Sequence, residues 1–307
     1  MPRIAYLGPS GTFTEQATRA LTADFDAELV PHDDVRQALA AVRSGEVVAA
    51  GVPVENSVEG SVPATMDALV SDEPVVAVAE TVLPVVFDVL VRPGTRPEEV
   101  STVASHPHAI AQVRGWLEAN LPRAEVHFAG STAAAAAAVR DGEYDAAVAA
   151  PIAVERYPSL ERLSAGVADV RDAFTRFLLV RRPSPPPEPT GADRTSVAAV
   201  ISDEVGTLAL LLSELTLRDI NLSRIESRPT KDRLGEYRFF LDFDGHVADS
   251  RVGDALAALR RRCSEVRFLG SYPKADRAPS AIRPSASEQA FRASARWLDD
   301  IRAGRIA

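Results

Sequence analysis

Arg3-Ile-Ala-Tyr-Leu-Gly-Pro-Ser-Gly-Thr-Phe-Thr-Glu15 contains one complete strand-to-helix transition. Arg3 to Leu7 is a short apolar run of strand type, and Gly8-Pro-Ser-Gly-Thr12 supplies turn residues. Thr12 with Glu15 three positions later has the spacing of a helix-capping box. The alternation continues outward from this unit. Ala27 to Pro31, Val47 to Val52, Val75 to Glu80, Val85 to Val91, Val126 to Ala129, Ala146 to Ala149 and Arg176 to Val180 read as strands separated by helical patterns. Strand then helix, repeated, predicts an α/β domain with much parallel sheet.

The pattern ends in Pro183-Ser-Pro-Pro-Pro-Glu-Pro-Thr190, where proline density excludes helix and central strand and favours an extended spacer. The spacer, residues 183–193, separates a first domain, 1–182, from a second, 194–273. In the second, Thr195 to Ile201 reads as a strand, and Val205, Leu208, Leu212 and Leu215 share a helical face. Leu222 to Glu226 and Tyr237 to Asp242 read as strands, Val252 to Arg260 as a helix and Val266 to Tyr272 as a strand. That order, βαββαβ, is ferredoxin-like. Residues 274–307 form a polar tail in which Glu288 to Ile301 can make an amphipathic helix. Ala133 to Ala138, which follows Ser131-Thr132, reads as a capped helix.

Composition narrows the function class. Of 307 residues, 34 are Lys or Arg and 43 Asp or Glu, a formal charge of -9 that argues against a phosphate-tracking surface and so against nucleic acid as main partner. The single cysteine, Cys263, removes a disulfide framework and any Cys-rich zinc site, as expected in a reducing cytosol, and the five histidines lack metal-ligand spacing. Val75 to Val91 is interrupted by Glu80, Pro84 and Asp88 and reads as two buried strands, not a membrane span. The first residues run into a strand without a signal-peptide pattern. A cytoplasmic protein without membrane or metal is the expectation.

Open α/β sheets bind ligands at the carboxyl ends of their strands. Four corners there share a design: Gly8 to Thr12, Glu55-Asn-Ser-Val-Glu-Gly-Ser61, Ser105-His-Pro107 and Ser131-Thr132, each before a helix. Helix N-termini with adjacent hydroxyl or amide groups, brought together, hold a small anion at little cost in formal charge. Taken singly, each corner is equally a turn and a cap. Thr175-Arg-Phe177 opens a strand, and Arg176 there can clamp a carboxylate bidentately or stand as an edge charge. Histidines 32, 106, 108, 127 and 246 read as surface or capping residues, and Cys263 as structural.

Gly8-Pro-Ser-Gly-Thr-Phe-Thr14, Pro53-Val-Glu-Asn-Ser-Val-Glu-Gly-Ser61, Ser105-His-Pro107 and Thr175-Arg-Phe177 resemble, in order and approximate spacing, the motifs of prephenate dehydratases. Gly206-Thr-Leu-Ala209 and Glu226-Ser-Arg-Pro229 resemble the attached ACT regulatory domain. The resemblance covers residues 3 to 273. It implies a two-lobed catalytic domain like a type II periplasmic binding protein, one lobe from residues 1–80 with 160–181 and the other from 81–158. It also implies decarboxylative dehydration of prephenate to phenylpyruvate in phenylalanine biosynthesis, without a cofactor.

By the same resemblance Thr175 is catalytic, a donor to the departing hydroxyl, with Glu55 and Asn56 beside it. Substrate contacts are expected from Ser10, Gly11, Thr12, Asn56, Ser57, Ser105, Gln112, Ser131, Thr132, Arg176 and Phe177. L-Phenylalanine is the implied feedback inhibitor, bound between ACT domains of a homodimer or homotetramer by Gly206, Thr207, Leu208, Ala209, Asn221, Leu222, Glu226, Ser227, Arg228 and Pro229. Three positions depart from the family pattern. Asp172 stands where Asn is frequent and is expected to point away from a dianion or to pair with Arg171 or Arg176. His108 replaces a common Gln, and Thr207 a usual Ala. Two alternatives stay open on sequence: an arogenate dehydratase, and a non-catalytic amino-acid or dicarboxylate sensor on the same fold.

Overall fold

The computed structural model of the protein describes residues 1–170, 172–231 and 235–305. The chain forms two compact units, residues 1–68 with 81–182, and residues 69–80 with 183–307.

The first unit holds two sheets. In the first, Arg3–Leu7 pairs in parallel with Glu28–His32 and with Ala49–Asn56, and Phe174–Arg181 lies antiparallel beside Ala49–Asn56. Their apolar faces, with Ile4, Tyr6, Val52 and Val54, are buried, and the helices Phe13–Leu21 and Val35–Ser44 contribute Ala17, Leu39 and Val42. The second sheet runs in the order Glu161–Ser164, Asp88–Val91, Ala146–Ala149, Thr102–Ser105, Glu125–Phe128. One of its cores gathers Phe87, Val89, Val103, Leu117 and Val148, and another gathers Leu90, Ala104, Ala136, Val139 and Ala147.

Glu161–Ser164, expected with residues 160–181 in the lobe of 1–80, pairs instead with Asp88–Val91 in the second sheet. The Arg162 guanidinium donates to the buried Asp88 carboxylate at 2.6 Å and fixes that edge. This strand, Thr102–Ser105 and Gly60–Ser61 are absent from the expectation because they are short and rich in polar or charged residues, so they carry no apolar run.

In the second unit Leu222–Pro229, Tyr237–Asp244, Asp193–Ile201 and Glu265–Pro273 form an antiparallel sheet in that order. Together with the helices Thr207–Thr216 and Ser250–Arg262, this is the βαββαβ unit. Val197, Leu211, Leu215, Leu241, Phe243, Val252, Leu259 and Cys263 pack its core. Residues 69–80, assigned from sequence to the first domain, group here: Ala77 pairs in parallel with Gly270. Gly270 has φ +139°, and a Cβ there would collide with the Ala77 backbone, so only glycine admits this strand so closely. The tail forms the helix Glu288–Arg302, capped by Ser287, with Trp297 largely exposed. Among the described residues no helix is long and apolar enough to cross a membrane.

Candidate active site

The strand register assembles the centre of the site. In the pairing of Phe174–Arg181 with Ala49–Asn56, Thr175 stands opposite Asn56 and Arg176 opposite Glu55, across 119 residues of chain. A register shift between Arg176 and Phe177 interrupts the ladder, a bulge of the kind that re-aims side chains, and pairing resumes on either side of it. Asn56 Nδ2 donates to Thr175 Oγ1 at 2.9 Å. Its Oδ1 accepts from the backbone N–H of Val58 (2.8 Å) and of Glu59 (3.1 Å). Those two donors fix which end of the amide is oxygen, so the hydroxyl of Thr175 receives a hydrogen bond and keeps its own proton for another acceptor.

Thr175 and Asn56 line a cavity of about 860 Å³ within the first unit, between its two sheets. Thr12, Phe13, His32, Glu59 and Ser61 line it on one side, and Phe87, His106, His108, Gln112, Ser131 and Thr132 on the other. Two nine-residue helices start at this cavity. Phe13–Leu21 is capped by Thr12, whose hydroxyl accepts from Glu15 N, and Thr132–Arg140 is capped by Ser131, whose hydroxyl accepts from Ala134 N. Both present a positive dipole end to the cavity.

Of the expected contacts, Thr12, Asn56, Gln112, Ser131, Thr132 and Thr175 line the cavity, and the others do not. Ser10 Oγ bonds Tyr6 Oη at 2.8 Å. Gly11 is buried and its N–H donates to Glu15 Oε2 at 2.7 Å. The capping box is thus displaced by one residue: Glu15, fully buried, serves Gly11 instead of Thr12, and it pairs with Arg19 and Arg156. Ser57 Oγ accepts from Phe174 N at 2.9 Å and pins the end of the sheet. Ser105 is buried and donates to the Val148 carbonyl at 2.6 Å, so His106 and not Ser105 caps the following helix. Phe177 lies in the core.

Arg176 is also buried, with Nη1 3.6 Å from Glu55 Oε2. Among the described residues no Arg or Lys lines the cavity. The clamp expected of Arg176 is therefore engaged within the protein, and the groups at the cavity wall are amides, hydroxyls, helix N-termini and histidines. Asp172 is exposed and outside the cavity, while Arg171, weighed as its partner, lies outside the described residues.

Three histidines, expected as surface or capping residues, belong to this wall. His106 Nδ1 accepts from His108 N at 3.3 Å, leaving Nε2 as the protonated nitrogen of a neutral ring. Burial first, and then the neighbouring His108, hold its imidazole below the ordinary range, against an opposing pull from Glu59. His108 stacks edge-on to His106, ring centres 4.9 Å apart, and its Nδ1 donates to Glu59 Oε2 at 2.6 Å. The signal for them was position: all lie at or beside strand-to-helix corners. Among the described residues no group of three or more His, Cys, Asp or Glu is placed to hold a metal ion.

In the second unit Gly206 begins the helix Thr207–Thr216 at φ +84°, and Thr207 Oγ1 donates to the Glu204 carbonyl at 2.9 Å, with Leu208 and Ala209 in the first turn. Asn221 Nδ2 approaches Asp244 Oδ2 at 3.3 Å. Leu222, Glu226, Ser227, Arg228 and Pro229 lie on the edge strand Leu222–Pro229, where Glu226 pairs with Arg224 at 2.8 Å. Among the described residues strand order puts this edge beside Tyr237–Asp244 alone.

Comparison with known proteins identifies the family. The family model described as PDT, prephenate dehydratase, matches residues 4–185. A prephenate dehydratase from Amycolatopsis methanolica is 59% identical over 308 residues, spanning 100% of both chains. One from Mycolicibacterium vanbaalenii is 51% identical over 318 residues, 99% of this chain and 100% of that one. The crystal structure of prephenate dehydratase in complex with L-Phe from Arthrobacter aurescens superimposes with a TM-score of 0.93 at 43% identity, covering 98% of this chain and 99% of that chain.

Proposed function

The chain belongs to the prephenate dehydratase family, and from that premise we propose that Thr175 is its catalytic donor and Asn56 the group that orients it. The enzyme is a hydro-lyase that turns prephenate into phenylpyruvate, carbon dioxide and water in phenylalanine biosynthesis. The open choice of a non-catalytic sensor gives way to that kinship.

In the reaction the bond from the ring to its carboxylate breaks, and its electron pair enters the ring as carbon dioxide leaves. The ring–hydroxyl bond breaks at the far side, and hydroxide departs with a proton as water. Hydroxide is the poor leaving group, so a donor aimed at it is the help the reaction needs. The observation that carries the assignment is the hydrogen bond from Asn56 to Thr175 Oγ1: a hydroxyl that accepts from one side is polarised to donate on the other. The apolar side chains Phe13 and Phe87, in edge-to-face contact at 5.6 Å, suit a forming aromatic ring. The helix starts at Thr12 and Ser131 suit the pyruvyl carboxylate. Leaving the departing carboxylate without a cationic partner suits the reaction, because an ion pair there holds the ground state more tightly than the transition state.

For the second unit we read Gly206, Thr207, Leu208, Ala209, Asn221, Leu222 and the 226–229 segment as an L-phenylalanine site. The support is the Arthrobacter aurescens relative solved with L-Phe. The exposed Val205, Leu210, Leu217, Ile225 and Tyr237, with the edge strand, favour assembly of these units into a homodimer or homotetramer. Inhibition follows when L-Phe binds one of two subunit arrangements more tightly. A biosynthetic enzyme with one thiol, Cys263, buried in the core suits the cytoplasm. The test follows phenylpyruvate from purified protein and prephenate, with and without L-phenylalanine. Product that L-phenylalanine suppresses supports both sites; product insensitive to it removes the effector reading.

A further inference from the structure

The wall of the cavity contains an unusual choice. Glu59 places a carboxylate where a substrate with two negative charges is expected, and like charges at short range disfavour binding. His108, from the opposite side of the same cavity, donates to that carboxylate at 2.6 Å. We propose that His108 offsets the charge of Glu59 and that the pair sets the affinity of the site for a dianion over a singly charged analogue. The proposal rests on reading the cavity as the prephenate site.

Geometry favours a role in binding over one in stability. The His108 side chain is 64% exposed and that of Glu59 37%, and an ion pair so open to water contributes little to folding. The pair nevertheless joins elements far apart in sequence. Glu59 rides on the turn after Ala49–Asn56, held by the Asn56 amide oxygen. His108 belongs to the helix Pro107–Gln112, capped by His106. The imidazole N–H directed at the Glu59 carboxylate satisfies it from within the protein, so less of its negative potential faces the cavity. The other titratable groups facing this space are His106, on the same helix start, and His32 and Asp33, at the end of Glu28–His32. They remain in every variant below, so their contribution is common to all.

Three variants make a charge series. His108→Gln keeps a donor and loses the cation, Glu59→Gln removes the anion, and the double variant removes both. With prephenate the expected KM rises about tenfold in His108→Gln, is unchanged or lower in Glu59→Gln, and returns to near the wild-type value in the double variant. For arogenate, whose ammonium leaves a single net negative charge, the His108→Gln penalty is smaller, so preference shifts toward it. A KM for His108→Gln equal to wild type, or a double variant no better than His108→Gln, overturns the proposal. Wild-type protein that makes no phenylpyruvate overturns the reading of the cavity itself, which separates the two failures.

Discussion

Asn56 donates to Thr175 Oγ1 while its own oxygen is held by two backbone N–H groups, so the hydrogen bond between the two side chains has a single direction. The consequence is a graded series. Thr175→Ala removes the donor and lowers kcat by about 10² to 10⁴, the usual span for a positioned proton donor, with KM changed far less. Thr175→Ser keeps the hydroxyl and retains most of kcat. Asn56→Asp keeps the acceptor for Val58 and Glu59 but offers Thr175 an acceptor, so the hydroxyl turns inward and kcat falls nearly as far as in Thr175→Ala. Steady-state kinetics on the three variants decides; wild-type turnover from Thr175→Ala removes Thr175 from the chemistry.

Arg176 and Glu55 face one another on adjacent strands, and the arginine is buried while Glu55 is partly open. If the guanidinium supports the strand end from within, Arg176→Ala costs stability, about 1–2 kcal/mol because Glu55 can turn to water, and lowers kcat through the neighbouring Asn56 and Thr175. If it clamps a substrate carboxylate, KM rises by about 10² or more with little loss of melting temperature. The geometry favours the first result. Thermal unfolding and KM measured on the same variant separate the two.

Where the chain announces a short apolar run followed by a capped corner, the sequence and the structure agree: Arg3–Leu7, Ala146–Ala149 and the Ser131 cap coincide with the reading. Edges do not announce themselves. Glu161–Ser164 is charged and short, and only its backbone partner identifies it as a strand. The site was legible as corners but not as side-chain directions. Ser105 and Ser57 carry the right chemistry, yet their hydroxyls serve backbone groups. Local spacing cannot reveal this, because the partners Val148 and Phe174 are 43 and 117 residues away. The histidines read as surface or capping residues, as His106 and the exposed His108 are, but only the folded chain brings them and His32 to one cavity.

Gly51, in the buried strand Ala49–Asn56, faces Thr18 of the helix Phe13–Leu21. A Cβ at Gly51 would fall inside van der Waals contact of Thr18 Oγ1, a buried hydroxyl already donating to the Thr14 carbonyl at 2.7 Å. The helix can yield only by moving off the sheet. Gly51→Ala is therefore destabilising by about 1–3 kcal/mol, the common penalty of overpacking, despite alanine's better strand entropy. Gly51→Ala combined with Thr18→Ala restores space and recovers part of the loss. Denaturant midpoints of the single and double variants provide the measurement, and a Gly51→Ala midpoint equal to wild type excludes close helix–strand packing here.

In the second unit Glu214 ties its two helices together. One carboxylate oxygen accepts from Arg218 at 2.7 Å, and the other accepts from Arg262 on Ser250–Arg262. The hydrogen bond from Arg218 first, and then that from Arg262, hold the Glu214 carboxyl below the usual carboxylate range, against the opposing effect of burial. A carboxyl whose folded pKa is depressed contributes its stabilisation in full above its unfolded pKa and loses it as pH falls through the folded value. Glu214→Gln therefore melts lower than wild type at pH 7, by about 2–4 °C. The gap closes as the pH drops below the ordinary range for glutamate, where the wild-type carboxyl also becomes neutral. Melting curves at pH 7 and at successive acid steps test the sign as well as the size. A gap that widens on acidification contradicts the depressed pKa, and one that is flat with pH assigns the loss to packing rather than to charge.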